Sequence, residues 1–181
     1  MVRIVAAVLL VLMFAAQGIL AQEAKDPLEE ALAKNPGRFE ARMVDLVAGF
    51  GGPEGLTLAG IEEHIALERA GARASAIRRF LAMDLDADGT VARDELTATQ
   101  RAASAGTRGR MERQFIAADR DGSGAVDAAE ITADGQAAGL RALDEADASL
   151  LRALIRLDAD ANGALTAAEV SAAAVRAEAA G

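Results

Sequence analysis

Oxygen-bearing side chains recur at one spacing in three segments of twelve residues: 84–95, 119–130 and 158–169, the first, second and third acidic loops. Each carries aspartate, asparagine or serine at positions 1, 3 and 5, glycine at position 6 and glutamate at position 12. Such oxygens suit hard divalent cations, and Ca²⁺ takes six to eight of them at roughly 2.3–2.6 Å. The threefold recurrence therefore favours three cation sites over ordinary solvated turns.

The shared pattern, D-x-[DN]-x-[DNS]-G-x5-E, resembles the loop of the EF-hand calcium-binding family, with Ser123 as its only relaxed position. The resemblance implies Ca²⁺ as the cofactor, bound at position 7 by a backbone carbonyl, often through water at position 9, and by both carboxylate oxygens at position 12. Carried over position by position, the expected ligands are Asp84, Asp86, Asp88, Thr90 and Glu95; Asp119, Asp121, Ser123, Ala125, Asp127 and Glu130; and Asp158, Asp160, Asn162, Ala164 and Glu169.

The three loops differ in charge. The first and second place four carboxylates at ligand positions, whereas the third places three and has the neutral Asn162 at position 5. Because the ligand charge count helps to set affinity, the third loop is expected to be the weakest unless rigidity reverses the order. Magnesium is the less suitable ion, since it requires a stricter octahedron at shorter distances.

Apolar residues around each loop keep helical spacing. In each case they lie about two helical turns, one turn and one residue before position 1. They are Ile77, Phe80 and Met83 for the first loop; Met111, Phe115 and Ala118 for the second; and Leu150, Leu154 and Leu157 for the third. This predicts full entering helices, which a dockerin module would lack, and an apolar residue also follows each position 12. The resemblance implies an all-α fold of paired EF-hands (helix-loop-helix) in two lobes, with short two-stranded β links through Val91, Val126 and Leu165.

A fourth, degenerate hand is expected upstream, because EF-hands normally pair. Leu56 and Ile61 match the apolar positions 8 and 13 of a loop, and residues 43–50 carry an entering face. The intervening loop is two residues too short and has no acids at positions 1, 3 and 5, so it should bind no calcium. The alternative is an unrelated helical hairpin with a Gly-Pro turn.

The hands are expected to pair in chain order. Residues 39–103 would hold the degenerate hand and the first acidic loop, and residues 107–178 would hold the second and third. Residues 104–109, which contain two glycines, are the expected connector. The glycine-containing stretch 134–139 is expected to interrupt the helix between the last two loops.

The amino terminus has the pattern of a secretory signal peptide. Arg3 is followed by an uncharged apolar run from Ile4 to Ala16, and cleavage is expected after Ala21, with Gly18 as the alternative. The mature chain would then begin with residues 22–38, a charged linker or a loosely held helix, and reside in the periplasm or outside the cell. An uncleaved membrane anchor is the alternative, because about eighteen residues is the lower limit for spanning a bilayer. The alanine- and arginine-rich composition suggests a bacterial source.

Composition excludes several classes of function. The net charge is −9, largely from the acidic loops, so we do not expect a nucleic-acid partner. The chain has no cysteine, and therefore no disulfide or thiol nucleophile. Its single histidine, His64, cannot build a histidine metal site alone, and no nucleophilic triad is visible. We expect a protein that is not an enzyme.

Two functions remain from the sequence. The first is an exported calcium-binding protein that buffers calcium or is itself stabilised by it. The alternative is a calcium-dependent sensor or adaptor that docks a partner in the envelope or membrane. Sensors expose grooves rich in methionine and aromatic residues, and this chain has five methionines, five phenylalanines and no tyrosine or tryptophan. That composition mildly favours the first function.

Overall fold

The computed structural model describes residues 26–180, so the predicted signal peptide, 1–21, lies outside the described range. The helices are α1 (Pro27–Lys34), α2 (Pro36–Phe50), α3 (Leu58–Leu81), α4 (Arg93–Gln100), α5 (Ala105–Ala118), α6 (Ala128–Ala142), α7 (Glu145–Ala153) and α8 (Ala167–Ala180), with a 3₁₀ turn at Leu154–Leu157. Two-residue strands lie at β1 (Leu56–Thr57), β2 (Val91–Ala92), β3 (Ala125–Val126) and β4 (Ala164–Leu165). This confirms the predicted all-α, helix-loop-helix fold. No helix in residues 26–180 combines the length and apolar character needed to cross a bilayer.

Of the two predictions for 22–38, the linker is wrong for the described part and a helix is present, although α1 is packed on the core and not loosely held. Asp26 caps α1 by accepting a hydrogen bond from the Leu28 amide at 3.0 Å, and a proline occupies the first helical position. Leu28 and Leu32, four residues apart and therefore on one face, are buried in the core. Asp26 also pairs with Arg156, which joins the start of α1 to the 3₁₀ turn.

The hands do not pair in chain order. Strand β1 of the degenerate hand pairs antiparallel with β4 of the third acidic loop, with Leu56 opposite Leu165. Strand β2 of the first acidic loop pairs with β3 of the second, with Val91 opposite Val126. The predicted pairing within 39–103 and within 107–178 is therefore wrong. The physical reason is α3, whose 24 unbroken residues separate the loops at its two ends by about 36 Å.

The pairing creates two hydrophobic cores. We call the degenerate hand and the hand of the third acidic loop, together with α1, the outer lobe. The hands of the first and second acidic loops form the inner lobe. The buried residues of the outer core are Leu28, Leu32, Phe39, Met43, Leu46, Leu56, Ile61, Ile65, Leu143, Ala148, Leu154, Leu165, Val170 and Ala173. Those of the inner core are Phe80, Met83, Val91, Leu96, Phe115, Ala118, Val126 and Ile131.

Helices α3 and α6 pack along each other and join the lobes. Two glycines of α6 permit the close approach: a Cβ at Gly135 would lie 2.7 Å from Ile77 Cγ1, and one at Gly139 would lie 3.0 Å from the Arg69 carbonyl oxygen. The predicted interruption at 134–139 is therefore wrong, because α6 runs unbroken through these glycines. The predicted connector is also displaced, since α5 already begins at Ala105, capped by Ser104.

Candidate metal centres

The aspartate at position 1 is held in the same way in all three acidic loops. One carboxylate oxygen accepts a hydrogen bond from the position 6 glycine amide: Gly89 to Asp84 at 3.1 Å, Gly124 to Asp119 at 3.0 Å and Gly163 to Asp158 at 2.7 Å. The other oxygen, Oδ1, is enclosed in each case and has no hydrogen-bond partner among the described residues. Enclosing an ionised oxygen without a partner is unfavourable, so all three sites fit a bound cation.

The glutamate at position 12 ties the start of each loop to its end. Glu95 Oε1 accepts from the Leu85 amide at 2.6 Å, and Oε2 accepts from the Ala92 amide at 2.8 Å. The corresponding amides are Arg120 at 2.6 Å and Asp127 at 3.2 Å for Glu130, and Ala159 at 2.8 Å and Thr166 at 2.9 Å for Glu169.

In the first and third loops these hydrogen bonds favour the ionised form of the glutamate at position 12. The amides of Ala92 and then Leu85 hold the pKa of Glu95 below its usual range. The amide and hydroxyl of Thr166, followed by the Ala159 amide, do the same to the pKa of Glu169. A hydrogen bond to a carboxylate favours its charged form, which is the form that binds a cation.

Each loop brings three carboxylates together, with one oxygen of each within 4.8 Å of the others. The groups are Asp84, Asp86 and Asp88; Asp119, Asp121 and Glu130; and Asp158, Asp160 and Glu169. Glu95 is not part of the first group, and Asp127 is not part of the second. Instead, Asp127 Oδ1 caps α6 by accepting from the Glu130 amide at 2.8 Å.

The neutral candidates make hydrogen bonds within their own loops. Ser123 Oγ lies 3.1 Å from the Ala125 carbonyl oxygen, to which it donates. Asn162 Oδ1 accepts from the Ala164 amide at 2.8 Å, and Asn162 Nδ2 donates to Asp160 at 3.1 Å. Asp88 takes the equivalent place in the first loop and accepts from the Thr90 amide at 2.8 Å. Position 5 therefore supports the turn towards position 7 in every loop.

Position 4 is a structural position that the sequence pattern did not single out. Its backbone is left-handed in all three loops, with φ of 61° at Ala87, 71° at Gly122 and 57° at Ala161. An L-residue in this region costs roughly 1–2 kcal/mol, so the first and third loops carry strain that glycine relieves in the second. The glycine at position 4 of the second loop was the available signal.

The degenerate hand is closed by its backbone instead of by carboxylates. Gly52 and Gly55 exchange amide-to-carbonyl hydrogen bonds of 2.9 and 3.1 Å, forming a tight bridge. Gly55 has φ of 120°, and a Cβ there would lie 2.6 Å from the Leu165 carbonyl oxygen. This loop therefore fits directly against the third acidic loop. Leu56 occupies the predicted position 8, whereas the absence of calcium binding remains a prediction.

The comparisons with known proteins bear on the second loop. A family model described as EF hand matches residues 111–133, which include the end of α5, the second acidic loop and the start of α6. No curated protein and no solved structure matches the chain. The matched segment is therefore similar to an EF hand, which suggests calcium binding, and the acidic groups of the three loops could hold a metal ion.

Proposed function

We propose that the chain binds Ca²⁺ at all three acidic loops through the residues predicted from their spacing. The observation that carries this proposal is the enclosed, unpartnered Oδ1 of Asp84, Asp119 and Asp158, repeated at position 1 of each loop. Bound Ca²⁺ supplies the positive charge that these oxygens lack. The position 6 amides orient the aspartates, and the position 12 glutamates close the loops around the site.

The biological role we propose is that of an exported calcium buffer or calcium-stabilised module, without enzymatic activity. The net charge of −9 includes many carboxylates held close together, and their mutual repulsion falls when calcium binds. An ion that binds only the folded chain stabilises the fold by mass action. Export rests on the amino-terminal sequence, and a processed chain that begins at Gln22 in cell fractions would test it.

The alternative is a calcium-dependent sensor or adaptor for an envelope or membrane partner. An open groove in the outer lobe, lined partly by Phe39, Met43 and Phe50, is the observation that favours it. Calcium-dependent exposure of apolar surface separates the two roles. An apolar dye whose emission rises with calcium would support the sensor, whereas emission that falls or stays constant would support the buffer.

The direct test is calorimetric titration of the full chain with Ca²⁺, in the absence and presence of Mg²⁺. We expect three sites, each lost separately in Glu95→Gln, Glu130→Gln and Glu169→Gln. The matched control is Glu178→Gln, which removes an exposed glutamate of α8 outside the loops. Calcium heat that is missing, or that persists unchanged in all three loop variants, would overturn the proposal.

A further inference from the structure

The groove in the outer lobe has features that calcium binding does not explain. It has a volume of about 940 Å³ and lies between α1, α2, α3 and α7. This is near the upper end of the roughly 300–1,000 Å³ typical of small-molecule sites. Its apolar floor includes Phe39, Met43, Leu46, Leu150, Leu151 and Leu154. Leu150 and Leu151 are half-buried, whereas the other four belong to the buried outer core, so the floor is apolar with its exposed part mainly on α7.

One lip of the groove is basic. Lys34, Arg38 and Arg42 follow one another at intervals of four residues along the end of α1 and the first half of α2, and all three are exposed. None of their side chains forms a salt bridge or hydrogen bond within residues 26–180. In a chain of net charge −9, three unpaired cations beside an apolar floor form a local site for an anion.

The rest of the rim has the opposite charge. Asp45, later on α2, lines the groove together with Glu68 of α3 and Asp147 of α7. A ligand with one anionic end would therefore be oriented, with its charge at the basic lip and its apolar part along the floor. A partner helix with acids along its whole length would meet these three carboxylates, so the charge pattern favours a single anionic head over an acidic peptide.

We propose that this groove binds a single-chain anionic amphiphile, such as a fatty acid or a lysophospholipid with an anionic head. Arg38 and Arg42 hold the head group, and the floor holds the alkyl chain. Hydrogen bonds between guanidinium and carboxylate or phosphate are among the stronger ones in proteins, which gives the basic lip its selectivity. The proposal goes beyond calcium binding and does not depend on it.

The test is displacement of undecanoate that carries a terminal dansyl group from the full chain. The chain has no tryptophan or tyrosine, so the emission of the probe is measured against little intrinsic background. Competitors are octanoate, decanoate and dodecanoate, then decanol and decyltrimethylammonium as neutral and cationic matches. Decanoyl lysophosphatidic acid and decanoyl lysophosphatidylcholine distinguish a phosphate head from a free carboxylate and from a zwitterion.

We expect the anionic competitors to tighten by roughly tenfold for every two methylenes, while decanol and the cation displace at least tenfold more weakly than decanoate. The double variant Arg38→Gln/Arg42→Gln should weaken decanoate by at least roughly tenfold. The control, Arg79→Gln/Arg110→Gln, removes two exposed arginines that do not line the groove and should leave binding unchanged. Both double variants retain the apolar amino-terminal segment. Probe bound to that segment would therefore contribute equally to the two measurements.

Three results would overturn the proposal. One is equal displacement by decanoate and decanol, which would mean an apolar surface without head-group selection. Another is equal weakening in both double variants, which would mean a general charge effect. The third is absence of probe binding while an acidic amphipathic peptide binds the wild-type chain but not Arg38→Gln/Arg42→Gln, which would assign the groove to a peptide.

Discussion

The outer and inner lobes share the helix-loop-helix plan but depend on different interactions. In the outer lobe fourteen buried apolar residues surround one acidic loop, whereas in the inner lobe eight surround two. The loop that pairs with the outer acidic loop is closed by the Gly52–Gly55 backbone bridge. Burial and backbone hydrogen bonds therefore supply, in the outer lobe, stabilisation for which the inner lobe would depend more on the cations that we propose it binds.

Removal of calcium should give the largest difference in stability between the two lobes. At a free concentration one hundred times the dissociation constant, each site adds about 2.7 kcal/mol to the free energy of unfolding, and the inner lobe has two of the three proposed sites. In hydrogen exchange of the full chain, we expect chelator to expose amides around Leu96 and Val126 well before those around Ile61 and Val170. Loss of protection at the same rate in both lobes would show that they unfold as one unit.

Truncation of the largest fully buried side chain of the inner core should have the next largest effect. Phe115 is fully buried, and its ring lies 4.5 Å from the Arg93 guanidinium carbon. We expect Phe115→Ala to lower the free energy of unfolding by about 3–5 kcal/mol, measured by urea denaturation in calcium. The variant should also weaken calcium binding at the first and second loops, because Val91 and Val126 of their paired strands share the inner core with Phe115.

The matched variant in the outer lobe is Phe39→Ala, which removes the same side chain from a larger core. It should lower stability without changing the calorimetric affinity of the first two loops. A weaker affinity at those loops in Phe39→Ala, equal to that in Phe115→Ala, would contradict the independence of the two cores.

The local chemistry of the loops could be predicted from the sequence because each loop is specified by its own twelve residues. The turn glycines, the carboxylate spacing and the apolar position 8 all lie within one short segment, so no knowledge of distant packing was needed. The structure brings Asp119, Asp121 and Glu130 together as this pattern requires. The left-handed position 4 was missed, since alanine at Ala87 and Ala161 gives no hint of a positive φ and only Gly122 does.

The pairing of the hands could not be predicted in the same way, because it depends on whether a helix ends. Gly60 and Gly71 lie within α3 without breaking it, and Gly135 and Gly139 lie within α6 as contacts with α3. A glycine that ends a helix and a glycine that admits a neighbouring helix look alike in a single sequence. A different ambiguity affected α1: the charged residues and Pro27 and Pro36 allowed a linker or a loose helix, although Leu28 and Leu32 already shared a face.

Filling the close contact between α3 and α6 should test how far the lobes act separately. Gly135→Val places a side chain against Ile77, and we expect a loss of about 1–3 kcal/mol in the free energy of unfolding. The control is Gly71→Val in α3, where nothing lies within 4 Å of the added Cβ. Equal effects of the two variants on the urea midpoint would mean that the close contact between α3 and α6 does not contribute to stability.

The smallest expected effect concerns strain at position 4, and it has opposite signs in the two loop variants. Gly122→Ala in the inner lobe introduces a methyl group at φ of 71° and should destabilise the chain by about 1 kcal/mol. Ala161→Gly in the outer lobe relieves strain but frees the unfolded chain, so its net gain should be smaller. Gly71→Ala, in an exposed helix interior, should instead stabilise by about 0.5–1 kcal/mol. Thermal unfolding of the three variants in calcium would show this order, and stabilisation by Gly122→Ala would contradict the left-handed turn.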